Sequence, residues 1–243
     1  MNIKLRIAYD GTDYLGWQKT HEGPSIEGTL EKILEQVLQE KIHLQAASRT
    51  DAGVHALGQV VNFIASKFPP KLQYSLNSLL PKDIVVRDLE LMPEYFHPTL
   101  DCRGKEYHYG ISRGSYQLPQ QRHYAWHVHA PLDLEAMSQA AKLLVGQHDF
   151  AAFTNAKKNE VYEDTIREVK SIELLEADDQ LKIIICGNNF LYKMVRNLVG
   201  TIVYVGMGKL TLSAISSLLT SHDRTQGGIT APAHGLTLKE VFY

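Results

Sequence analysis

The stretch SRTDAGVHA, residues 48–56, sets how the rest of this 243-residue chain is interpreted. It places a cation, a hydroxyl and a carboxylate before two small residues. The small neighbours leave space for a planar ligand beside Asp51, and Gly53 permits a tight backbone turn. The carboxylate could act as a covalent nucleophile or a base, with Arg49 favouring its ionised form. The same spacing also suits an Asp51 that only caps a turn.

Hydrophobic spacing around this stretch predicts strands and helices in alternation. Ser25 is placed as the N-cap of an amphipathic helix that runs to residue 38. Apolar and polar residues alternate, as in a half-buried strand, at residues 3–8, and residues 59–64 and 84–91 are also strand-like. Residues 74–80 form a mixed segment without a clear period.

The second half of the chain has similar parts. Asp133 opens a helix with Met137, Ala140, Ala141 and Leu144 inward. We further expect a strand at 107–111, a hairpin of 169–175 with 181–185, helices at 190–205 and 212–219, and a final strand at 238–242. Short turns between strands favour an α+β fold of two similar halves, 1–102 and 103–243, sharing a mixed, mostly antiparallel central sheet flanked by helices.

Composition gives no support to a nucleic-acid partner, because the net charge is −2 and neither half is a basic domain. Any RNA site must therefore be a local patch. Cys102 and Cys186 have no Cys-x-x-Cys spacing, and the apolar run at the N-terminus is too short for a signal peptide. No apolar stretch approaches the roughly 20 residues of a membrane helix. We therefore expect a cytoplasmic protein without a membrane partner.

Three residues outside the opening stretch could carry chemistry. Tyr107 and Tyr109 share one face of a strand, where a base could stack or a phenol could transfer a proton. They equally suit a half-buried sheet face. Arg196 lies in the middle of the expected apolar helix, where a charge needs an acidic partner such as Asp51, unless its head group reaches solvent.

Two other clusters are weaker candidates. His127 and His129 would point the same way from a strand and suggest a metal hydrolase, but no third ligand completes a metal-binding spacing nearby. Lys157 and Lys158 form a short basic loop that is either solvent-facing charge or a phosphate contact.

Ordered motifs along nearly the whole chain resemble the TruA family of tRNA pseudouridine synthases. They are Tyr9-Asp10-Gly11, Gly16-Trp17-Gln18, the stretch 49–55 with Gly58-Gln59-Val60-Val61, Phe96-His97, Lys105-x-Tyr107-x-Tyr109, Gly146-x-His148-Asp149-Phe150, Met194-Val195-Arg196-Asn197 with Val199-Gly200, and Ala231-Pro232-Ala233-x-Gly235-Leu236. The resemblance implies the pseudouridine synthase fold and isomerisation of uridine at positions 38, 39 and 40 of the tRNA anticodon stem-loop. It implies no metal or other cofactor, since this isomerisation needs neither redox chemistry nor hydrolysis, and it implies a homodimer with tRNA spanning both subunits.

The resemblance also implies residue roles. Asp51 is the nucleophile that attacks either the ribose C1′ or the base C6, and Tyr107 stacks on the base and helps to remove the C5 proton. Arg196 pairs with the nucleophile, and Arg49 helps to flip the nucleotide out of its stem. The implied RNA contacts are Arg49, Tyr107, Phe96, His97, Lys157 and Lys158.

The sequence departs from the family pattern at Ser48, Thr99 and Glu106, where the pattern more often has a glycine, an arginine and a basic strand residue. The changes at Thr99 and Glu106 remove positive charge, and none of the three changes touches the chemistry. A non-catalytic RNA-binding protein or RNA chaperone is the alternative, because paired tyrosines and a basic loop would also serve binding alone.

Overall fold

The computed structural model describes residues 1–155, 162 and 164–243, so the RNA contacts expected at Lys157 and Lys158 lie outside the described residues. In chain order the elements are β1 (Asn2–Tyr9), α1 (Ile26–Leu38), β2 (Gln45–Ala46), β3 (His55–Ile64), α2 (Leu72–Leu79), β4 (Ile84–Met92), β5 (Gly104–Arg113), β6 (Trp126–Val128), α3 (Leu134–Leu144), β7 (Gly146–Asp149), β8 (Ile166–Ala177), β9 (Gln180–Gly187), α4 (Met194–Gly206), α5 (Leu212–Ser221) and β10 (Leu236–Phe242).

The chain divides into two compact units. The first unit comprises Met1–Arg103 with Thr237–Tyr243, and the second comprises Gly104–Leu236. The C-terminal strand thus belongs mostly to the first unit, although it follows the second unit in sequence. A single boundary after residue 102 divides the sequence into two continuous halves, so it cannot assign the C-terminal strand to the first unit.

In the first unit the strands run in the order β4-β1-β3-β10, with β2 also paired to β3. All of these pairs are antiparallel except β3 with β10. The alternation predicted in β1 is confirmed, because Ile3, Leu5 and Ile7 are fully buried. Helix α1 begins at the predicted cap, where the Ser25 hydroxyl accepts from the Gly28 N–H at 3.2 Å.

In the second unit the strands run in the order β5-β9-β8-β7, and β6 pairs in parallel with β5. The predicted hairpin is β8 with β9, and the predicted cap of α3 is Asp133, whose carboxylate accepts from the Ala136 N–H at 2.9 Å. The inward face predicted for α3 is confirmed, since its four apolar residues are all buried. Helix α3 packs on α4, α5 and β8.

The predicted start of α4 is wrong by four residues. The helix begins at Met194 and not at residue 190, because Lys193 takes φ +59°, which the right-handed helix does not allow. Arg196 therefore lies in the first turn of α4 and not in its middle. The rest of the helix is almost wholly buried, as its apolar sequence predicts.

The predicted α+β class with mostly antiparallel strands is confirmed. The mixed segment 74–80 is largely helical, within α2. Within the described part of the chain, none of the helices combines the length and the apolar character that crossing a membrane requires.

Candidate active site

Asp51 begins a tight turn that leads into strand β3. The Val54 N–H donates to the Asp51 carbonyl at 3.1 Å, so the backbone closes the turn. Gly53 takes φ +78°, a left-handed conformation that glycine adopts without strain. Asp51 itself is half-buried. The chemical role of Asp51 stays a prediction.

A buried polar contact holds the residue before Asp51. Thr50 is 8% exposed, and its Oγ1 lies 2.8 Å from the hydroxyl of Tyr9 at the end of β1. The fully buried Gln59 amide reaches the same hydroxyl at 3.5 Å and donates to the Ser48 carbonyl at 2.6 Å. Side chains from β1 and β3 therefore fix the backbone that enters the Asp51 turn.

A glycine and a tryptophan pack against the same backbone. The Trp17 N–H donates to the Thr50 carbonyl at 3.0 Å. Gly16 takes φ +96°, and a Cβ placed there would lie 2.7 Å from the Thr50 carbonyl oxygen and 3.0 Å from the Ala52 nitrogen. Only glycine allows so close an approach, so residues 16–17 pack directly against the backbone of residues 50–52 and restrict its movement.

The strand that follows the turn is anchored by His55. This residue is 4% exposed, and its Nδ1 lies 3.1 Å from the Gly11 nitrogen and 3.1 Å from Asp10 Oδ1. A Cβ at Gly11 would lie 2.1 Å from the Val54 carbonyl oxygen, so the two segments are in direct backbone contact. The Asp51 turn is thus held at both of its ends.

The other predicted RNA contacts of the first unit differ in exposure. Arg49 is exposed, as a side chain that reaches into RNA must be. Phe96 is 7% exposed, and its ring lies 5.2 Å from that of Tyr243, so it packs within the unit. His97 Nδ1 accepts from the Thr99 N–H at 3.1 Å and orders a turn. Contact of Phe96 and His97 with RNA stays a prediction.

Tyr107 and Tyr109 lie on the buried face of β5, as their spacing predicts. Tyr107 packs edge-on against Phe190, with ring centroids 5.4 Å apart. The Tyr109 hydroxyl donates to the Pro232 carbonyl at 2.8 Å. Burial raises the pKa of Tyr109 well above its usual value, and the nearby Arg196 charge opposes this only partly, so the phenol stays protonated.

Arg196 is hydrogen-bonded to the C-terminal segment, residues 229–232, which also accepts the bond from the Tyr109 hydroxyl. Its Nε donates to the Ala231 carbonyl at 2.7 Å, and the Ala231 N–H donates back to the Arg196 carbonyl at 3.1 Å. These bonds fix the first turn of α4 and limit the directions that the guanidinium can take. The acidic partner expected for Arg196 stays a prediction.

The next residue, Asn197, is the centre of a buried polar cluster. Its Nδ2 donates to the Phe153 carbonyl at 2.7 Å and to Asn155 Oδ1 at 2.8 Å. Its Oδ1 accepts from Arg224 Nη2 at 2.9 Å and from the Thr230 hydroxyl at 2.7 Å. Every hydrogen-bonding position of the amide is used, which fixes α4 against the segment that carries Ala231.

The rings of the two histidines considered as metal ligands lie side by side. The rings of His127 and His129 are 3.9 Å apart, and His127 Nε2 lies 3.0 Å from the Gly114 carbonyl oxygen. Among the described residues, no group of three or more histidine, cysteine, aspartate or glutamate side chains could hold a metal ion.

A family model described as tRNA pseudouridine synthase matches residues 6–99 and 140–243. The chain belongs to the tRNA pseudouridine synthase family. A tRNA pseudouridine synthase A 2 of Protochlamydia amoebophila (strain UWE25) is 56% identical to it over 246 residues, covering 100% of the chain and 94% of that relative. Proteins called tRNA pseudouridine synthase A from Geotalea daltonii and Thermoanaerobacter sp. (strain X514) are 45% and 42% identical, each over 100% of the chain and 99% of the relative.

These matches confirm the family resemblance that the sequence motifs carry. Arg49 and Asp51 lie in the first range matched to the tRNA pseudouridine synthase family and Arg196 lies in the second, whereas Tyr107 lies between the two ranges.

Sequence reasoning gave no role to three residues that hold candidate site residues within their own units. Tyr9 and Gln59 hold the Asp51 loop, and Asn197 holds the helix turn of Arg196. All three stand inside the motifs that carry the resemblance to the tRNA pseudouridine synthase family. The motifs could therefore have indicated that these three residues matter. Residue type alone did not indicate which neighbour each side chain contacts.

Proposed function

We propose that this protein isomerises uridine to pseudouridine at positions 38, 39 and 40 of the tRNA anticodon stem-loop, with Asp51 as the nucleophile. As a member of the tRNA pseudouridine synthase family, it is an isomerase. The observation that carries the proposal is the Asp51 turn, which bonds from Tyr9, Trp17 and Gln59 hold in place while the backbone closes it. A carboxylate on so fixed a support suits covalent catalysis, which requires close positioning of the attacking atom.

The proposed reaction conserves every atom of the nucleotide. The ionised Asp51 carboxylate attacks the ribose C1′ or the base C6, and the bond between N1 and C1′ breaks. The uracil rotates, C5 bonds to C1′, and the carboxylate leaves. C5 loses its proton and N1 gains one, so the product is an isomer of the substrate.

Tyr107 is proposed to stack on the target base and to help remove the C5 proton. Its buried position on β5 and its edge contact with Phe190 support this role, because they fix the plane of the ring. A fixed aromatic face positions a base with little loss of side-chain entropy.

Arg196 is proposed to keep the nucleophile ionised. A guanidinium stays protonated at every physiological pH, and an adjacent positive charge favours the carboxylate form of an aspartate. The bond from Arg196 Nε to the Ala231 carbonyl holds the guanidinium by its inner nitrogen, and the aspartate would pair with the outer nitrogens.

Arg49 is proposed to help flip the nucleotide out of its stem, since a base inside a duplex is out of reach of a protein nucleophile. Its exposure next to Asp51 supports this role. Phe96, His97, Lys157 and Lys158 are proposed as further contacts with the anticodon arm. The family resemblance further supports a homodimer, in which patches from two subunits together would bind tRNA. The thiols of Cys102 and Cys186, which are not joined in a disulfide, support a cytoplasmic location.

Release of tritium from tRNA labelled at uridine C5 tests the proposal. Asp51→Asn keeps the size of the side chain but removes its nucleophilic oxygen, so we expect the rate to fall by at least about 10⁴-fold with little change in tRNA affinity. Mapping of pseudouridine in the treated tRNA should place the product at positions 38–40.

The matched control is Asp88→Asn, which breaks a surface ion pair in which Arg6 Nε lies 2.7 Å from Asp88 Oδ2. This variant should react at the wild-type rate. Normal turnover by Asp51→Asn would remove the assignment of the nucleophile. Salt-dependent tRNA binding by the wild type without any change to uridine would instead favour the non-catalytic RNA-binding alternative.

A further inference from the structure

We propose that Tyr9 and Gln59 are positioning residues that set the place of the Asp51 carboxylate through the backbone of residues 48–50. The proposal rests on the proposed role of Asp51 as nucleophile. It assigns a function in catalysis to two buried side chains that themselves need not touch the RNA.

An irregular strand pair carries both side chains. Strands β1 and β3 pair with Ile7 opposite Gln59 but with Tyr9 opposite Ala56, so the register shifts by one residue between these pairs. Gly58 lies in the shifted stretch, and a Cβ there would lie 2.5 Å from the Lys239 carbonyl oxygen. Register shifts of this kind redirect side chains next to active sites.

Both side chains contact the loop before Asp51. Tyr9 is 4% exposed and Gln59 is 0% exposed, yet both direct their polar ends to this loop. The Tyr9 hydroxyl lies 2.8 Å from Thr50 Oγ1, and Gln59 Nε2 donates to the Ser48 carbonyl at 2.6 Å. Buried polar groups need partners, so this segment has one favoured place relative to the sheet.

The loop side chains point in different directions. Thr50 is buried and turned to Tyr9, while its neighbour Arg49 is exposed and Asp51 is half-buried. Removal of the hydroxyl contact would free Thr50 to rotate, and the carboxylate one residue later would move with the backbone. A displacement of about 1 Å is enough to reduce a rate by about 100-fold.

Single-turnover tritium release and tRNA binding, measured on the same variants, test the proposal. Tyr9→Phe removes only the hydroxyl oxygen. We expect its rate constant to fall by about 10-fold to 100-fold, while the dissociation constant for tRNA stays at the wild-type value. The Gln59→Leu variant should show the same split between rate and affinity.

Tyr14→Phe is the matched control. Tyr14 is 7% exposed, lies in the same unit, and donates its hydroxyl to Asp83 Oδ1 at 2.8 Å, outside the loop of residues 48–51. Both tyrosine variants should lose thermal stability, because Tyr14→Phe loses the bond to Asp83, while Tyr9→Phe loses the contact with Thr50 and the longer contact with Gln59. Only Tyr9→Phe should lose rate.

Thr50 supplies a second test that is independent of the tyrosine. Thr50→Ser keeps the hydroxyl and should retain most of the rate, whereas the isosteric Thr50→Val should lose as much as Tyr9→Phe. The double variant Tyr9→Phe/Thr50→Val should lose no more than either single variant, because both changes remove the same contact.

The outcomes separate the two proposals. Wild-type turnover by Tyr9→Phe, or an equal loss of rate in Tyr14→Phe, overturns the positioning role while Asp51→Asn still reports on the nucleophile. Normal turnover by Asp51→Asn overturns the role of Asp51, whatever the tyrosine variants do. A Tyr9→Phe variant that loses tRNA affinity at an unchanged rate constant would show a binding role and also overturn the positioning proposal.

Discussion

The fully buried amide of Asn197 bonds to four polar partners in the second unit. The Asn197 side chain is neutral, and its oxygen accepts a hydrogen bond from the Arg224 guanidinium beside a mostly apolar helix. Burial lowers the pKa of Arg224, yet an arginine keeps its proton at neutral pH. The amide oxygen thus partly compensates a charge that would otherwise be costly to desolvate.

Asn197→Ala should lower the free energy of unfolding by about 3 kcal/mol, because buried donors and acceptors lose their partners together. Denaturant unfolding followed by circular dichroism measures this change. The control is Asn77→Ala, since Asn77 is exposed and exchanges two 2.8 Å bonds with the Val86 backbone, which water can replace. It should cost about 1 kcal/mol. Equal losses in the two variants would refute the role given to burial.

The sequence indicated individual residues only as far as their type and spacing allowed. Asp51 and Gly53 could be selected from a carboxylate beside small residues, although the same spacing also suits an Asp51 that only caps a turn. The contact of Tyr9 with Thr50 could not, since 41 positions separate the two residues and only the tertiary fold brings them together. The motif position of Phe96 predicted RNA contact but not the packing of its ring within the first unit, and the contact with RNA stays a prediction.

At the scale of elements, prediction succeeded where one regular period decides the outcome. Both the cap and the inward face of α3 were predicted from sequence. Helix α4 began late because Lys193 takes a left-handed conformation that the apolar spacing does not show. Helix α4 also approaches the C-terminal segment so closely that a glycine is required, a tertiary contact that no periodicity reports.

Gly200→Ala tests the close contact between α4 and the segment that carries Ile229. Alanine favours a helix over glycine by about 1 kcal/mol, so propensity alone predicts a more stable protein. A Cβ at Gly200 would, however, lie 1.7 Å from the Ile229 carbonyl oxygen, which belongs to the backbone and cannot rotate away. We therefore expect a loss of about 3 kcal/mol in denaturant unfolding, with lower activity because the displaced segment also holds Arg196.

Gly208→Ala separates steric overlap from conformational strain. Gly208 takes φ +68°, and a Cβ there would meet nothing within 4 Å. This variant should lose only about 1 kcal/mol, from the left-handed backbone. A Gly200→Ala protein more stable than the wild type would show that the helix and the C-terminal segment separate at little cost.

At the scale of the whole molecule, charge is the feature that most needs explanation. The chain has 25 lysines and arginines against 27 aspartates and glutamates, whereas tRNA is a polyanion. Binding must therefore depend on a few local cations and on contacts other than charge, with a composite surface from two subunits as the proposed source. Such a mode predicts a modest dependence of tRNA affinity on salt concentration.

The Lys157→Gln/Lys158→Gln variant tests this view. Removing one lysine that binds a phosphate should reduce the slope of log affinity against log salt by about one, so the double variant should bind more weakly at low salt and differ little at high salt. Fluorescence anisotropy between about 50 and 200 mM salt measures the slope. Lys41→Gln is the control, because exposed Lys41 already pairs with Glu35 at 3.0 Å. An unchanged slope in the double variant would place the phosphate-binding residues elsewhere, and an equal fall in Lys41→Gln would show that general charge, not a local patch, attracts the RNA.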